Sequence, residues 1–135
     1  MSESQRFPYL TVGNTTLPRP FVPIRLIFQN RAHDAFGLLD TGADVNVMPY
    51  AIGAALGAVW DAQTTQVSLT GNLAQFDAKA LIVSAAVGRY DPVRLAFAWT
   101  QSNRIPLILG QVNFFIEFDI CFYRAQLTVD LHRKA

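Results

Sequence analysis

Apolar and polar positions alternate along much of the chain with a period of two. In "FVPIRLIFQ" the apolar side chains recur at Ile24, Leu26 and Phe28, the spacing of one face of a half-buried β-strand. "QNRAHD" then supplies a turn, and "AFGLL" resumes an extended apolar run that stops at Asp40. "TTQVSLT" and "AQFDAKALIVS" flank Gly71-Asn72, which predicts a hairpin tip. "VRLAFAWT", "IPLIL", "FDICFY" and "AQLTVDL" predict further strands, the last two joined around Arg124-Ala125. Helical periodicity is sparse. "PYAIGAALG", with Pro49 near its start and Gly57 near its end, fits one short helix, and a further helical turn is expected within 111–116. Many short strands at close spacing predict an all-β barrel or sandwich. Residues 1–22, with Pro8, Pro18 and Pro20, read as an N-terminal arm, and residues 23–135 as one domain.

Composition narrows the functional classes. A chain of 135 residues, 51% hydrophobic and 16% charged, suits a single globular core. A net charge of +1 without a Lys/Arg stripe gives no reason to expect nucleic acid or an anionic membrane as partner. The longest uncharged run, Val45 to Trp60, contains Pro49, Gly53 and Gly57 and falls short of the roughly 18 apolar residues that span a bilayer. The start "MSESQRFPYL" lacks the basic and apolar regions of a signal peptide, so a cytoplasmic location is expected. Cys121, the only cysteine, makes no internal disulfide, and its apolar neighbours predict a buried, inert thiol. His33 and His132 are too isolated for a metal cluster, and no cofactor is expected.

Asp40 is the residue that folding alone does not explain. A carboxylate closing an apolar strand costs free energy unless it is partnered, and such a cost is often tolerated where the group does chemistry. Asp and Gly also open ordinary turns, and a bare Asp-Thr-Gly arises by chance in about 3% of chains this long. A calcium loop counted from Asp40 needs an oxygen ligand third, Gly sixth and Glu twelfth. Gly42, Val45 and Ala51 stand there, which excludes it. No Walker loop, HExxH, paired CxxC or GxSxG occurs. Aspartic-protease chemistry remains, in which two carboxylates share a proton and a water because like charges about 3 Å apart cannot both ionise.

Three ordered elements support it. "LLDTGAD", Leu38 to Asp44, resembles the active-site loop of retroviral proteases. "PLILGQVNFF" resembles the family's late apolar-apolar-Gly element through Ile108, Leu109 and Gly110, and "VSLTGNLAQF" lies where the family has its flap. From roughly Ile24 to Leu131 the chain therefore resembles a retropepsin-like aspartic protease. The resemblance implies an all-β, closed retropepsin-like barrel with one short helix. It also implies an aspartic endopeptidase that works as a homodimer on an extended peptide, since the chain has a single Asp-Thr-Gly. Asp40 of each subunit would hold the water, Thr41 hydroxyls would brace the paired loops, and the Gly42 carbonyl would accept a substrate amide. Ala43 and Asp44 would bind peptide backbone beneath a flap tip of Thr70, Gly71 and Asn72. Leu38, Ile105, Leu107 and Ile108 would offer apolar pockets, with plain core packing as the other reading of all four. Gln111 stands where the family usually has an Arg paired with the acidic residue at the place of Asp44. An amide there is expected to hydrogen-bond Asp44 while forfeiting the charge-assisted fork. The flap is poor in glycine, which predicts restricted opening. The longer N-terminal arm prevents a residue-by-residue transfer of viral dimer contacts, and "AQLTVDL" either adds an interface strand or closes the barrel. These departures leave a second possibility, a catalytically weak or inactive module for peptide binding or dimerisation.

Overall fold

The computed structural model describes residues 3–14 and 16–134. The chain runs β1 (Ser4–Pro8), β2 (Phe21–Phe28), β3 (Arg31–Leu39), β4 (Asn46–Met48), α1 (Tyr50–Ala55), β5 (Gln66–Val67), β6 (Ala78–Val87), β7 (Val93–Thr100), β8 (Leu107–Leu109), α2 (Phe114–Glu117), β9 (Phe118–Tyr123) and β10 (Thr128–Arg133). Seven strands lie in the order β2-β3-β8-β4-β7-β6-β5, and β2 also pairs with β6 from Ile24↔Val87 to Ile27↔Ser84. That second pairing closes β2, β3, β8, β4, β7 and β6 into a barrel, with β5 attached to its wall. Closure gives each of these six strands a partner on both sides along part of its length.

The alternation seen in the sequence fills the barrel. Val22, Ile24 and Leu26 of β2, Leu81, Val83 and Ala85 of β6, and Leu95, Phe97 and Trp99 of β7 are all buried. Phe28, paired with Arg31 at the turn into β3, is only half-buried against this core. Trp99 stacks on Tyr50 with ring centroids 5.5 Å apart, and its indole N–H donates to the Tyr50 carbonyl at 3.1 Å. Helix α1 lies on that indole through Gly53, where any Cβ would come within 2.2 Å of Trp99. The helix begins after Pro49, receives Asn103 Oδ1 on the Ala51 N–H at 2.7 Å, and is followed by Gly57 at φ +82°.

Several expectations are corrected here. The N-terminal arm is partly sheet: β1 pairs with β10 from Ser4↔His132 to Pro8↔Thr128, which satisfies its main-chain groups. Strand β2 starts at Phe21, and buried Phe21 and Val22 belong to the core although the sequence places them in the arm. Strand β10 does not close the barrel; it is the middle of a separate three-stranded sheet, β1-β10-β9. The further helical turn expected within 111–116 forms as α2, slightly later at Phe114–Glu117, where Phe114 is buried and stacks on Phe118 at 4.8 Å. Gly71-Asn72 lies midway along the connection between antiparallel β5 and β6, but that connection is the long loop of residues 68–77 and not a tight turn. Residues Gly71–Leu73 form a 3-10 turn, and β5 and β6 pair only at Gln66↔Lys79 and Val67↔Ala78. Cys121 is exposed, not buried. The period of two that points Phe118 and Ile120 inward turns Asp119 and Cys121 out. Among the described residues no helix is long and apolar enough to cross a membrane.

Candidate active site

Strand β3 runs parallel to β8, with Leu38 beside Ile108 and Leu39 beside Leu109. Parallel strands leave a sheet on the same side, so the loops that follow them meet. Asp40 opens the first loop, and its N–H donates to the Leu109 carbonyl at 3.1 Å. The chain then turns sharply. The Ala43 N–H donates to the Asp40 carbonyl at 3.2 Å, and the Gly42 N–H donates to Asp40 Oδ1 at 2.9 Å. Asp40 thus fastens its own turn with one carboxylate oxygen while the half-buried group still reaches the open side of the loop.

The second loop holds the first through main-chain bonds. Gln111 N–H donates to the Ala43 carbonyl at 2.9 Å, and Val112 N–H to the Asp44 carbonyl at 2.7 Å. Gly110 makes this approach possible: a Cβ there would lie 2.5 Å from the Val45 oxygen and 2.8 Å from the Ala43 oxygen. Beneath the crossing sits Asn46, fully buried. Its Oδ1 accepts the Gly110 N–H at 2.8 Å, and its Nδ2 donates at 3.1 Å to both the Ala96 carbonyl and Asn113 Oδ1. Asn113 Nδ2 in turn donates to the Arg94 carbonyl at 3.1 Å. This amide pair ties both loops to β7, which fits the rule that buried polar groups are partnered. Sequence reasoning passed over both asparagines. Their signal was an amide between valines in "VNVMP" and another between Val112 and Phe114.

Gln111 departs from expectation. Its Nε2 donates to the Thr41 carbonyl at 2.9 Å and not to Asp44, whose side chain is exposed. The Thr41 carbonyl, and not the Asp44 carboxylate, is the acceptor the amide meets at the loop crossing.

A cleft of about 1010 Å³ opens over the first loop. Asp40, Gly42, Ala43, Asp44, Leu38, Ile105, Leu107 and Ile108 line it, together with Thr70, Gly71 and Asn72. Leu107 and Ile108 are only 3% and 7% exposed, so packing accounts for most of their surface, whereas Leu38 and Ile105 are half-buried. Thr41 lies outside the cleft, in a recess of about 300 Å³ that also touches Asp40, Tyr9 and Phe122. Leu109 and Gly110 are buried behind the loop and Gln111 is exposed beside it. The N-terminal segment adds a wall that no residue type announced. Leu10 and Arg19 exchange main-chain bonds of 2.9 Å, and the turn between them brings Val12, Gly13 and Asn14 to the cleft. Among the described residues no group of three or more His, Cys, Asp or Glu side chains is placed to hold a metal ion.

No family model and no curated protein matches the chain. Its structure is similar to that of a retropepsin-like aspartic protease from Rickettsia conorii, with a TM-score of 0.65 over 98% of this chain and 94% of that one, at 12% sequence identity. A match to EIAV protease complexed with the inhibitor HBY-793 has a TM-score of 0.45 and 18% identity, covering 74% of this chain and 88% of that one. The first likeness extends over nearly the whole molecule, and the chain has a retropepsin-like fold: mostly β, a closed barrel and two short helices.

Proposed function

We propose that the chain is an aspartic endopeptidase whose active unit is a homodimer, with one water held between the Asp40 carboxylates of two copies. The observation that carries this is the placement of Asp40: fixed through Oδ1 by its own loop, open to a peptide-sized cleft, and present once per chain. One carboxylate takes a proton from the water as its oxygen attacks the peptide carbonyl. The other gives its proton to the carbonyl oxygen, and the two roles then reverse to protonate the departing amine. Like charges this close share one proton, which supplies an acid and a base from identical residues. Thr41, exposed beside the loop, braces the facing copy. Gly42, Ala43 and Asp44 bind the backbone of an extended peptide under residues 70–72, and Leu38 and Ile105 receive its side chains.

Incubation with unfolded proteins between pH about 4 and 6, where a shared-proton pair is half-protonated, tests the assignment. Wild type is expected to cleave and Asp40→Asn to be silent; equal cleavage by the two removes Asp40 from the chemistry. The stubby β5–β6 pair favours one other reading, a module that binds peptides without cutting them. In that case both proteins bind the same peptides and neither cleaves.

A further inference from the structure

We propose that Arg104 is a specificity-determining residue of the cleft and selects peptides that carry an acidic side chain, Asp or Glu, beside it. This rests on the function proposed above and deepens it by naming a class of substrate.

The loop between β7 and β8 carries Arg104 and is fastened at several points. The Tyr50 N–H donates to the Ser102 carbonyl at 3.0 Å and the Ala51 N–H to Asn103 Oδ1 at 2.7 Å, which ties the loop to the start of α1. Thr100 Oγ1 donates to the Ser102 carbonyl at 3.2 Å, and Ser102 Oγ accepts the Arg104 N–H at 3.1 Å. The main chain of Arg104 is therefore held while the residue stays exposed. Asn103 and Arg104 are the polar side chains that this loop gives to the cleft, and Asn103 is already spent on α1. Arg104 is the free one. Among the described residues no carboxylate lies within ion-pair distance of its guanidinium.

Four charged side chains line the cleft: Arg19, Asp40, Asp44 and Arg104. Asp40 is given to the chemistry. Arg19 also borders the recess that Asp40 and Thr41 share, so a substrate carboxylate drawn to it meets the charge of Asp40. Asp44 is exposed and unpaired among the described residues, since the Gln111 amide turns to Thr41, and it repels a further acidic group. Arg104 borders the cleft and not the recess, and Ile105, Pro106 and Leu107 line the cleft with it. A peptide whose apolar side chain packs on Ile105 passes next to a guanidinium on a fixed loop.

A guanidinium presents parallel N–H groups that match both oxygens of a carboxylate. A peptide lying over the loop displaces water from around the pair, and their attraction strengthens as dielectric screening falls. A neutral amide of the same size accepts one such bond without the charge, and a lysine there is repelled. One acidic residue is favoured over a run of them, because Asp40 and Asp44 repel the rest.

A set of short peptides with amidated C-termini, carrying Glu, Gln or Lys at one position at a time, tests this at pH about 6, where a free Glu is ionised. Wild type is expected to prefer Glu over Gln at one position by about tenfold in kcat/KM, and to reject Lys there. Arg104→Gln should bring the Glu and Gln peptides level, and Arg104→Glu should turn the preference to Lys. A merely structural role for Arg104 produces no such reversal. A wild type that treats the three alike at every position overturns the proposal, as does an Arg104→Gln variant that keeps the Glu preference. Titrating the same peptides into Asp40→Asn, followed by fluorescence anisotropy, reads binding apart from cleavage. Tighter binding of the Glu peptide that is lost on adding Arg104→Gln, with no cleavage by wild type, keeps Arg104 and removes the endopeptidase. Cleavage that is indifferent to charge and abolished by Asp40→Asn does the reverse.

Discussion

Replacing Gly110 with Ala asks whether the two loops at Asp40 are held together by main-chain contact. Glycine to alanine at an unstrained site usually stabilises by about 0.4–1 kcal/mol through the unfolded chain. Here the opposite sign is expected. The new methyl would sit 2.5 Å from the Val45 oxygen and 2.8 Å from the Ala43 oxygen, and neither main-chain atom can swing aside. The loops must part by about 0.5–1 Å to restore ordinary contact. That movement stretches the bonds from Gln111 to Ala43 at 2.9 Å and from Val112 to Asp44 at 2.7 Å, and strains the bond from Gly110 to Asn46 at 2.8 Å. Two or three weakened hydrogen bonds at about 0.5–1.5 kcal/mol each, or the usual cost of overpacking at about 1–3, converge on a destabilisation of about 1–3 kcal/mol. Urea unfolding followed by Trp fluorescence, at one fixed protein concentration, measures it as a lower midpoint with an unchanged slope. Cleavage measured where the variant is still folded should fall about tenfold or more, since Asp40 hangs from the same loop. A stability within about 0.5 kcal/mol of wild type together with full cleavage would refute the account of the crossing.

Asn46→Ala leaves the buried Gly110 N–H and the Ala96 carbonyl without their side-chain partner, so a loss of about 2–4 kcal/mol is expected. Hydrogen exchange at Gly110 should accelerate with it, and an unchanged exchange rate would show that the amide pair does not secure the loop. The Arg6–Asp130 pair predicts a pH signature. The hydrogen bond from Arg6, and then its charge, hold the Asp130 carboxyl below its ordinary value of 3.8. A depressed folded-state pKa gives stability that is present above the unfolded value and is lost as pH falls through the folded one. The stability gap between wild type and Arg6→Gln should therefore be constant from pH 7 to about 5 and close below about pH 4. A gap of equal size at pH 3 and pH 7 would contradict the pairing.

The parts of this molecule that were legible in the sequence are those written locally. Strand β2 announces itself because Ile24 and Leu26 alternate with solvent-facing neighbours, and β7 because "VRLAFAWT" is bounded by polar turns at both ends. Asp40 and Gly110 stand out since each breaks an apolar run with a residue that packing does not choose. What escaped was set by partners distant in sequence. Nothing in "SQRFP" says that β10 will pair with it, and nothing in Gln111 says that its amide will meet the Thr41 carbonyl before Asp44. The side Cys121 faces follows from parity and not from its apolar neighbours, since counting by twos from Phe118 turns it outward. The loop of 68–77 lacked the alternation that a paired flap needs, and the 3-10 turn at Gly71, with φ +61°, took its place.

The parallel pairing of β3 with β8 also governs when the site comes into existence. Asp40 emerges early during synthesis, yet the acceptor for its N–H is Leu109, and the bonds that shape its loop come from Gln111 and Val112. Chains are made from the N-terminus, and contacts across so long a stretch close late. An elongating chain therefore carries Asp-Thr-Gly as a bare sequence, with no second loop to hold the turn. The chemistry proposed for Asp40 therefore has no formed site until most of the barrel has left the ribosome.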